Sequence, residues 1–423
     1  MINPIAFFFL DAQPSRIVVL RNVDGGSLTL IAQKAFSRYI VCQRSSMKKL
    51  FLFFATFTLL IIACSKGPSP SPTPVNPTDT THNTTDTSHT GTGGTGGTGK
   101  DSIHLPARGV YVAGDSFDLS TQYLPWPVYW TNGKAVHLPN ASHASGNGIV
   151  VTDSNVYVSC DGIYFGNNVT YWKDTTGINL ADASLINPIT NGITRSGADL
   201  YIVGSGYING YQQFVPLYWK NRNNAIKVAT NVYDHAEGRA IAVSGSDIYV
   251  AGTMPDINTL GTSPACFWKN GAVTLLRPVS PNSGSGLAKA IYVSGSDVYI
   301  VGEVYPIGSG SAVGWAVYWK NGVATELTSP SVMSQANGIA VSGSDVYIAG
   351  AVFGSDGALH ATYWKNGVPT TLDQKYSVAT AITVSGSDVY VAGNRSVDSA
   401  LYWKNGTPVV LGRGRAYAIA VKN

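Results

Sequence analysis

Few residues beyond position 64 have types and spacing that could do acid–base chemistry. Glutamate occurs there only at Glu237, Glu303 and Glu326, and these three form no recognisable acid–base pair. The sequence contains no HExxH zinc motif, no EF-hand calcium loop, no GxSxG nucleophile motif and no glycine-rich phosphate loop after a strand. We therefore predict no catalytic residues, no metal site and no cofactor, and a binding protein is favoured over an enzyme.

Aromatic side chains with a polar atom occur in several stretches of variable sequence. We single out Trp126, Tyr233 and His235, because a flat ring that carries a polar atom suits a binding surface. Further members of this set are Tyr123, Tyr164, Tyr207, Tyr211, Tyr305 and Tyr376. Ordinary sequence drift, with these rings packed against the scaffold, explains them equally well, and both interpretations stay open.

The variable stretches interrupt a phrase that the chain repeats seven times. Each copy contains a segment ending in Tyr, a hydrophobic residue, a small residue and Gly, and later a Tyr-Trp-Lys-Asn-Gly segment, or near variants of both. The tryptophans that mark the copies are Trp130, Trp172, Trp219, Trp268, Trp319, Trp364 and Trp403. A repeat of about 40–50 residues with four short strands is typical of a β-propeller blade.

Each copy divides into four β-strands, A to D, through β-branched and aromatic residues in two-residue alternation. In the sixth copy these strands cover residues 338–341, 345–350, 361–365 and 368–372. Ser-Gly-Ser-Asp joins A to B in four copies and Asn-Gly joins C to D in five, and both turns tolerate positive φ. The predicted fold is all-β: a seven-bladed β-propeller with four antiparallel strands per blade over residues 107–423, in which the Tyr-Trp pairs pack between blades.

The two ends of the repeat region are complementary. The first copy lacks a strand A before residue 110, and the last copy is followed by a spare strand A at residues 416–421. The simplest arrangement places this C-terminal strand beside strand B of the first blade. It would then close the ring and remove the open sheet edges.

A ring of polar residues is expected to surround the propeller axis. Each strand A has one residue just before its small position. These residues are Asn147, Asn191, Arg239, Lys289, Asn337, Thr380 and Tyr417. In an antiparallel meander they lie at the end that carries the B–C and D–A loops, and these loops vary in length and sequence. We expect a ligand-binding funnel there, while strand ends near solvent are often polar in any case.

The N-terminal part predicts an export signal followed by a linker. Met47, Lys48 and Lys49 precede an apolar run over residues 50–63, which is too short to span a bilayer and suits a secretory signal at 47–63. Residues 1–46 precede a complete signal and are expected to reflect an incorrectly assigned start. The linker that follows Cys64, residues 65–106, is rich in Pro, Thr and Gly. It is expected to be disordered, with a mean reach of roughly 35 Å.

Ala63 and Cys64, at the end of the apolar run, resemble the lipobox of bacterial lipoproteins. The resemblance implies cleavage before Cys64, lipidation of its thiol and a membrane anchor in the cell envelope, at the outer membrane. An ordinary signal peptide with an incidental cysteine is the alternative. Cys160 and Cys266 fall in copies that are not neighbours, so we predict buried thiols rather than a disulfide.

The charge distribution excludes one class of partner. Residues 1–64 contain seven Lys/Arg and two Asp/Glu, whereas residues 65–423 contain 21 Lys/Arg and 22 Asp/Glu. A near-neutral domain lacks the basic surface of a nucleic-acid-binding protein. We therefore predict no nucleic-acid partner, and we expect a monomer that contacts the membrane through its N-terminal lipid.

The repeat also resembles the HAF-type repeat of bacterial extracellular proteins. The best match covers residues 338–372, where 360–364 read His-Ala-Thr-Tyr-Trp and 366–367 read Asn-Gly. These segments occupy the places of the His-Ala-Phe-Leu-Trp strand and the Asn-Gly turn of that repeat. The resemblance implies extracytoplasmic placement and brings no agreed activity.

Three functions remain open. The first is a lipid-anchored extracytoplasmic module that binds a glycan, or an envelope or extracellular protein, through the variable-loop face. The second is a polysaccharide hydrolase or lyase that uses the same face. The third is a structural component of an envelope complex. We favour the first, because no acid–base pair can be named.

Overall fold

The structure, a computed structural model, describes residues 17–21, 27–31, 108–117, 125–139, 144–161, 170–180, 182, 184–208, 214–229, 235–256, 262–280, 283–306, 313–396 and 398–423. Side chains are described for all of these except 17–21, 27–31, 161 and 283. The predicted signal at 47–63, Cys64 and the linker at 65–106 lie outside the described residues.

The chain divides into two compact units, Met1–Gly96 and Gly97–Asn423. In the first unit, β1 (Ile17–Arg21) and β2 (Ser27–Ile31) form an antiparallel pair. All further described strands belong to the second unit. The described residues include no helix with the length and apolar character needed to cross a membrane.

The second unit starts with three strands, β3 (Gly109–Phe117), β4 (Pro125–Thr131) and β5 (Lys134–His137). Five separate four-stranded sheets follow in chain order. The first two of these sheets consist of β6 (Ser145–Val151), β7 (Val156–Asp161), β8 (Thr170–Lys173) and β9 (Thr176–Asn179), and of β10 (Leu185–Ser196), β11 (Asp199–Ile208), β12 (Phe214–Lys220) and β13 (Ile226–Lys227). The third and fourth consist of β14 (Glu237–Ser244), β15 (Asp247–Thr253), β16 (Ala265–Lys269) and β17 (Ala272–Leu275), and of β18 (Ser283–Ser294), β19 (Asp297–Pro306), β20 (Trp315–Lys320) and β21 (Val323–Glu326). The fifth consists of β22 (Ser334–Ser342), β23 (Asp345–Phe353), β24 (Leu359–Lys365) and β25 (Val368–Thr371). The final strands are β26 (Ser377–Ser385), β27 (Asp388–Arg395), β28 (Ser399–Lys404) and β29 (Thr407–Lys422).

The last four strands and the first three of this unit form one seven-stranded sheet, in the order β26-β27-β28-β29-β3-β4-β5. The N-terminal part of β29 pairs with β28, and its C-terminal part pairs with β3, as far as Lys422 opposite Gly109. The predicted pairing of residues 416–421 with the first strand B is therefore present. The prediction of a separate strand D and spare strand A is wrong, because Gly412 and Gly414 adopt positive φ values that allow one strand to continue through both.

The sheets form an all-β propeller with four antiparallel strands per blade. The innermost strands contact one another in chain order, from β6 through β10, β14, β18, β22 and β26 to β29, and β29 in turn contacts β6. Five blades are separate four-stranded sheets, so the prediction of seven such sheets is wrong. The physical reason is that β29 bonds along both of its edges and thereby joins the remaining strands into one sheet.

Seven hydrophobic clusters pack the strands together, and each contains a strand A isoleucine. Six lie between neighbouring sheets, and the cluster around Trp130 lies between the two halves of the seven-stranded sheet. The seven strand C tryptophans are at most 5% exposed, which confirms that the Tyr-Trp pairs pack between sheets. Cys160 and Cys266 are buried and form no disulfide, as predicted, and burial raises the pKa of Cys266 well above its usual value.

The A–B turn and the C–D turn of the same sheet contact each other through side chains. In the fifth copy, Asn321 donates to Asp297 at 2.8 Å and accepts a hydrogen bond from the Val298 amide at 2.8 Å. Lys320 Nζ lies 2.8 Å from Asp297 and 5.2 Å from the centre of the Tyr299 ring. Hydrogen bonds from Lys320 and Asn321 lower the pKa of Asp297 to about 2. The same Asp–Asn–Lys contacts recur at Asp199, Asp247, Asp345 and Asp388. The repeated turn residues are therefore structural.

Candidate functional site at the axial rim

Every innermost strand carries a β-bulge at the residue that the sequence places around the axis. The register of strand A against strand B shifts at Asn147, Asn191, Arg239, Lys289, Asn337, Thr380 and Tyr417, which we call the axial rim. A bulge leaves one residue out of the ladder and re-aims its side chain. All seven side chains are partly buried. In β6, β14, β22 and β26 the bulge lies within the first four residues of the strand, towards the D–A connection. In β10, β18 and β29 the strand extends six or more residues before the bulge.

The glycine near the end of strand B makes room for each bulge. A Cβ atom on Gly302 would lie 1.8 Å from the Leu287 carbonyl oxygen, on the bulged strand. Gly114, Gly204, Gly252, Gly350 and Gly393 face a main-chain oxygen in the same way, at 1.8 to 2.3 Å. The repeated Gly is thus a packing requirement. In the second copy Cys160 takes this place, and its partner on strand A is Gly146.

Four rim side chains hydrogen-bond a main-chain carbonyl of the next innermost strand. Asn191 Nδ2 donates to the Gly238 carbonyl at 2.7 Å, and Asn337 Nδ2 donates to the Ala379 carbonyl at 2.9 Å. Thr380 Oγ1 donates to the Ala416 carbonyl at 2.9 Å, and Asn147 binds the Thr190 carbonyl. The acceptor always belongs to the residue that precedes the next rim residue. The three asparagines therefore hold neighbouring sheets together, and Thr380 links β26 to β29 within the seven-stranded sheet, a role that the sequence did not reveal.

Arg239 and Lys289 depart from this pattern, because each pairs with a carboxylate. Arg239 Nη2 lies 2.7 Å from Glu237 Oε2, and both side chains are about one-third exposed. Lys289 Nζ lies 3.0 Å from Glu303 Oε1, and this pair is mostly buried. The two cations sit on adjacent innermost strands, β14 and β18.

Further polar groups surround the Lys289–Glu303 pair. Lys289 also donates to Asn337 Oδ1 at 3.1 Å and to Gln335 Oε1 at 3.4 Å. Tyr305 donates its hydroxyl hydrogen bond to Glu303. Burial and the neighbouring Glu303 raise the pKa of Tyr305, so the phenol stays protonated. Tyr305 therefore orients the carboxylate and is not an activated nucleophile.

Tyr417, the seventh rim residue, belongs to a second cluster around the fully buried Asp115. Arg415 Nη2 and Ser145 Oγ both lie 2.7 Å from Asp115 Oδ2, and the Tyr417 hydroxyl lies 3.4 Å from it. The Arg415 guanidinium lies 5.1 Å from the ring centre of Phe117 and 5.6 Å from that of Tyr417. Two rings and a planar cation thus form one amphipathic surface beside the axis.

The aromatic residues predicted to lie in loops are distributed differently. Trp126 lies in β4, opposite Ser116, so its assignment to a loop is wrong. His235 is exposed at φ 68°, ahead of β14, and Tyr233 lies outside the described residues. Strands B and C continue to pair beyond the repeated phrase, so Tyr207 lies in β11 opposite Phe214, and the centres of the two rings are 4.9 Å apart. A ligand role for these residues stays a prediction.

His360, the histidine of the HAF-like segment, lies at the loop end of β24. Its Nε2 atom is 2.9 Å from Asp356 Oδ1. This hydrogen bond raises the pKa of His360 and lowers that of Asp356. The pair joins the B–C connection to strand C, so the histidine has a structural partner in this blade.

A cleft of about 460 Å³ lies on the turn side of the propeller, between the sheet of β10–β13 and the sheet of β14–β17. Tyr218, Val228, Val250, Trp268 and Asn270 are among the residues that line it. It includes no rim residue. Within the described ranges, no group of His, Cys, Asp and Glu side chains is arranged to hold a metal ion.

Comparisons with known proteins return distant likenesses of fold. No protein-family model matches the chain, and no curated protein matches it. The β-propeller domain of the Trilobed protease from Pyrococcus furiosus is similar at 10% identity and a TM-score of 0.45, over 71% of this chain and 92% of that one. A quinonprotein alcohol dehydrogenase-like protein from Bacteroides thetaiotaomicron is similar at 11% identity and a TM-score of 0.42, over 75% and 79%. A putative TolB from Agrobacterium tumefaciens has 10% identity and a TM-score of 0.38, over 73% and 90%. Likenesses this weak carry no argument about function.

Proposed function

We propose that this chain is a lipid-anchored, extracytoplasmic β-propeller that binds a glycan, or an envelope or extracellular protein, at its axial rim. The observation that carries the proposal is the difference among the rim positions. At four of them a small side chain, Asn or Thr, donates a hydrogen bond to a main-chain carbonyl of the next innermost strand. The chain instead places Arg239, Lys289 and Tyr417 at the other three, each next to a carboxylate. Convergent polar groups at a concave end are typical of a ligand site.

Binding suits the rim better than hydrolysis. A glycosidase needs one carboxyl group that carries a proton and a second that acts as base or nucleophile. Glu237, Glu303 and Asp115 each lie within 3.0 Å of a cationic nitrogen. Each of these carboxylates is therefore already engaged in an ion pair within the protein. The rim carboxylates are therefore suited to orienting other groups.

The proposal includes a ring of seven repeats. We count the seven-stranded sheet as two blades that share β29 as their common strand. The seven rim bulges support this count, as does the hydrophobic cluster that lies between the two halves of the seven-stranded sheet. The likeness of residues 338–372 to the HAF-type repeat, and the extracytoplasmic placement that it implies, belong to the same proposal.

The anchor is proposed to be a lipid on Cys64, in the outer membrane, with a monomeric propeller on the linker. Support comes from Lys48 and Lys49, the apolar run at 50–63 and the Ala63-Cys64 step. In a bacterial host, wild-type protein is expected to incorporate a fatty-acid analogue and to sediment with membranes, whereas Cys64→Ser is expected to do neither. Cys160→Ser is the matched control and should label like wild type. An unlabelled wild-type protein would contradict the anchor.

Binding is tested with the full chain on an array of glycans and a panel of envelope proteins. For any ligand found, Arg239→Ala and Trp126→Ala are expected to weaken binding about tenfold or more, because each removes a polar or aromatic contact at the rim end. Lys320→Ala and Lys365→Ala, on the uniform turns, should leave the affinity unchanged. Loss of binding in the turn variants, with the rim variants unaffected, would place the site at the opposite end.

A further inference from the structure

The charges around the axial rim are already balanced. Arg239 pairs with Glu237 at 2.7 Å, and Lys289 pairs with Glu303 at 3.0 Å. Across the ring, the Arg415 guanidinium pairs with Asp115 at 2.7 Å. Three cations thus face three carboxylates. A site with this composition attracts neither anions nor cations by its net charge.

The cations also have little capacity left for an anionic ligand. The Lys289 ammonium has three N–H donors, and Glu303, Gln335 and Asn337 provide three acceptors within 3.4 Å. An acidic ligand would have to displace these partners. Its own charge would then lie beside a partly buried carboxylate, which is unfavourable.

Acceptors and flat apolar surfaces remain for an uncharged ligand. A carboxylate oxygen offers about two lone-pair directions, so Glu237, which is about one-third exposed, can accept a hydroxyl hydrogen bond while it stays paired with Arg239. Phe117 and Tyr417 are both partly buried, and their ring centres lie 5.1 and 5.6 Å from the Arg415 guanidinium. Partly buried rings of this kind suit the apolar face of a sugar ring, whose edge carries hydroxyl groups.

We propose that the axial rim binds neutral sugar units and discriminates against sugars that carry a carboxylate. The inference rests on the proposed function and names its ligand class. A glycan is favoured over a protein, because none of the large hydrophobic side chains that are exposed in the described structure is a rim residue. The most exposed of them, such as Val323 and Val368, lie on the outer strands β21 and β25. Protein interfaces depend on a buried apolar or aromatic centre.

The test measures binding of the full chain to paired hexasaccharides by calorimetry. The neutral probes are gluco-, manno- and galacto-oligosaccharides, and each is matched with its uronate counterpart, which differs by a carboxylate at C6. We expect wild-type protein to bind at least one neutral probe about tenfold more tightly than its uronate partner. Glu237→Gln with Glu303→Gln frees Arg239 and Lys289, so this double variant should lose that preference or reverse it. Glu326→Gln, a glutamate away from the rim, is the control and should behave like wild type.

Each outcome separates the two proposals. Preference of the wild type for a uronate, or equal binding of both partners, would overturn the neutral-sugar inference and leave the binding function standing. An unchanged preference in the double variant would also overturn it. If that variant does not fold, Glu237→Gln alone supplies the comparison, because Glu237 is about one-third exposed. A chain that binds envelope proteins but no sugar would overturn the inference alone, whereas a chain that binds neither would overturn the proposed function as well.

Discussion

Deletion of residues 416–423 is expected to lower the melting temperature by about 10 °C or more, or to cause aggregation. The deletion removes the only described partner of β3 on one side, from Gly114 to Gly109. It also removes the buried side chains of Ala416 and Ile419 from the cluster around Trp130. The combined loss is on the order of 5 kcal/mol, comparable with the whole stability of many domains.

Thermal unfolding followed by circular dichroism, together with light scattering, measures this effect. Deletion of Asn423 alone is the control, because this residue follows the last paired position of β29. A protein lacking 416–423 that melts like the full chain would show that the pairing of β29 with β3 does not hold the propeller together.

Substitution of Gly302 by Ala is expected to destabilise the fold by about 3 kcal/mol or more. The new Cβ atom would lie 1.8 Å from the Leu287 oxygen and 2.9 Å from its carbonyl carbon, both of which belong to the backbone. Backbone atoms cannot move aside like the end of a flexible side chain, so the bulge at Lys289 must shift or open. Chemical denaturation followed by tryptophan fluorescence measures the loss.

Gly177→Ala is the matched control for this substitution. Its Cβ atom would meet the Trp172 indole nitrogen at 3.4 Å, which is an ordinary contact, and its position is exposed. We expect a change within about 0.5 kcal/mol for this variant. If Gly302→Ala were equally mild, the bulged geometry of strand A would be wrong.

Patterns local to each repeat were sufficient to predict most of the scaffold. Two-residue alternation indicated the strands, and the Asn-Gly and Ser-Gly-Ser-Asp turns indicated the hairpins. The missing strand before residue 110 and the spare strand at 416–421 predicted the pairing that β29 makes with β3. These inferences succeeded because the strand, turn and pairing preferences are properties of short segments that recur in seven copies.

The candidate site depended on contacts that no segment contains by itself. Arg415 and Asp115 are 300 positions apart in the chain and meet only when β29 lies beside β3. Asn191 and Gly238 likewise meet only when neighbouring innermost strands approach. The sequence predicted polar residues around the axis. It could not distinguish a side chain that hydrogen-bonds the next innermost strand from one that is open to a ligand. One signal was available: Asn or Thr at four positions and larger groups at three.

The sequence by itself determined the all-β repeat, its four strands per copy and the identity of the rim residues, because alternation and turn chemistry act over a few residues. Tertiary structure decided that β29 joins the first and last strands of the propeller in one sheet, that each rim residue forms a bulge, and which rim side chains pair with carboxylates. Ion pairs such as that of Arg415 with Asp115 arise where distant parts of the chain pack together. The bulges depend on close contacts between paired strands, such as that of Gly302 with the Leu287 carbonyl, and these contacts exist only in the folded sheet.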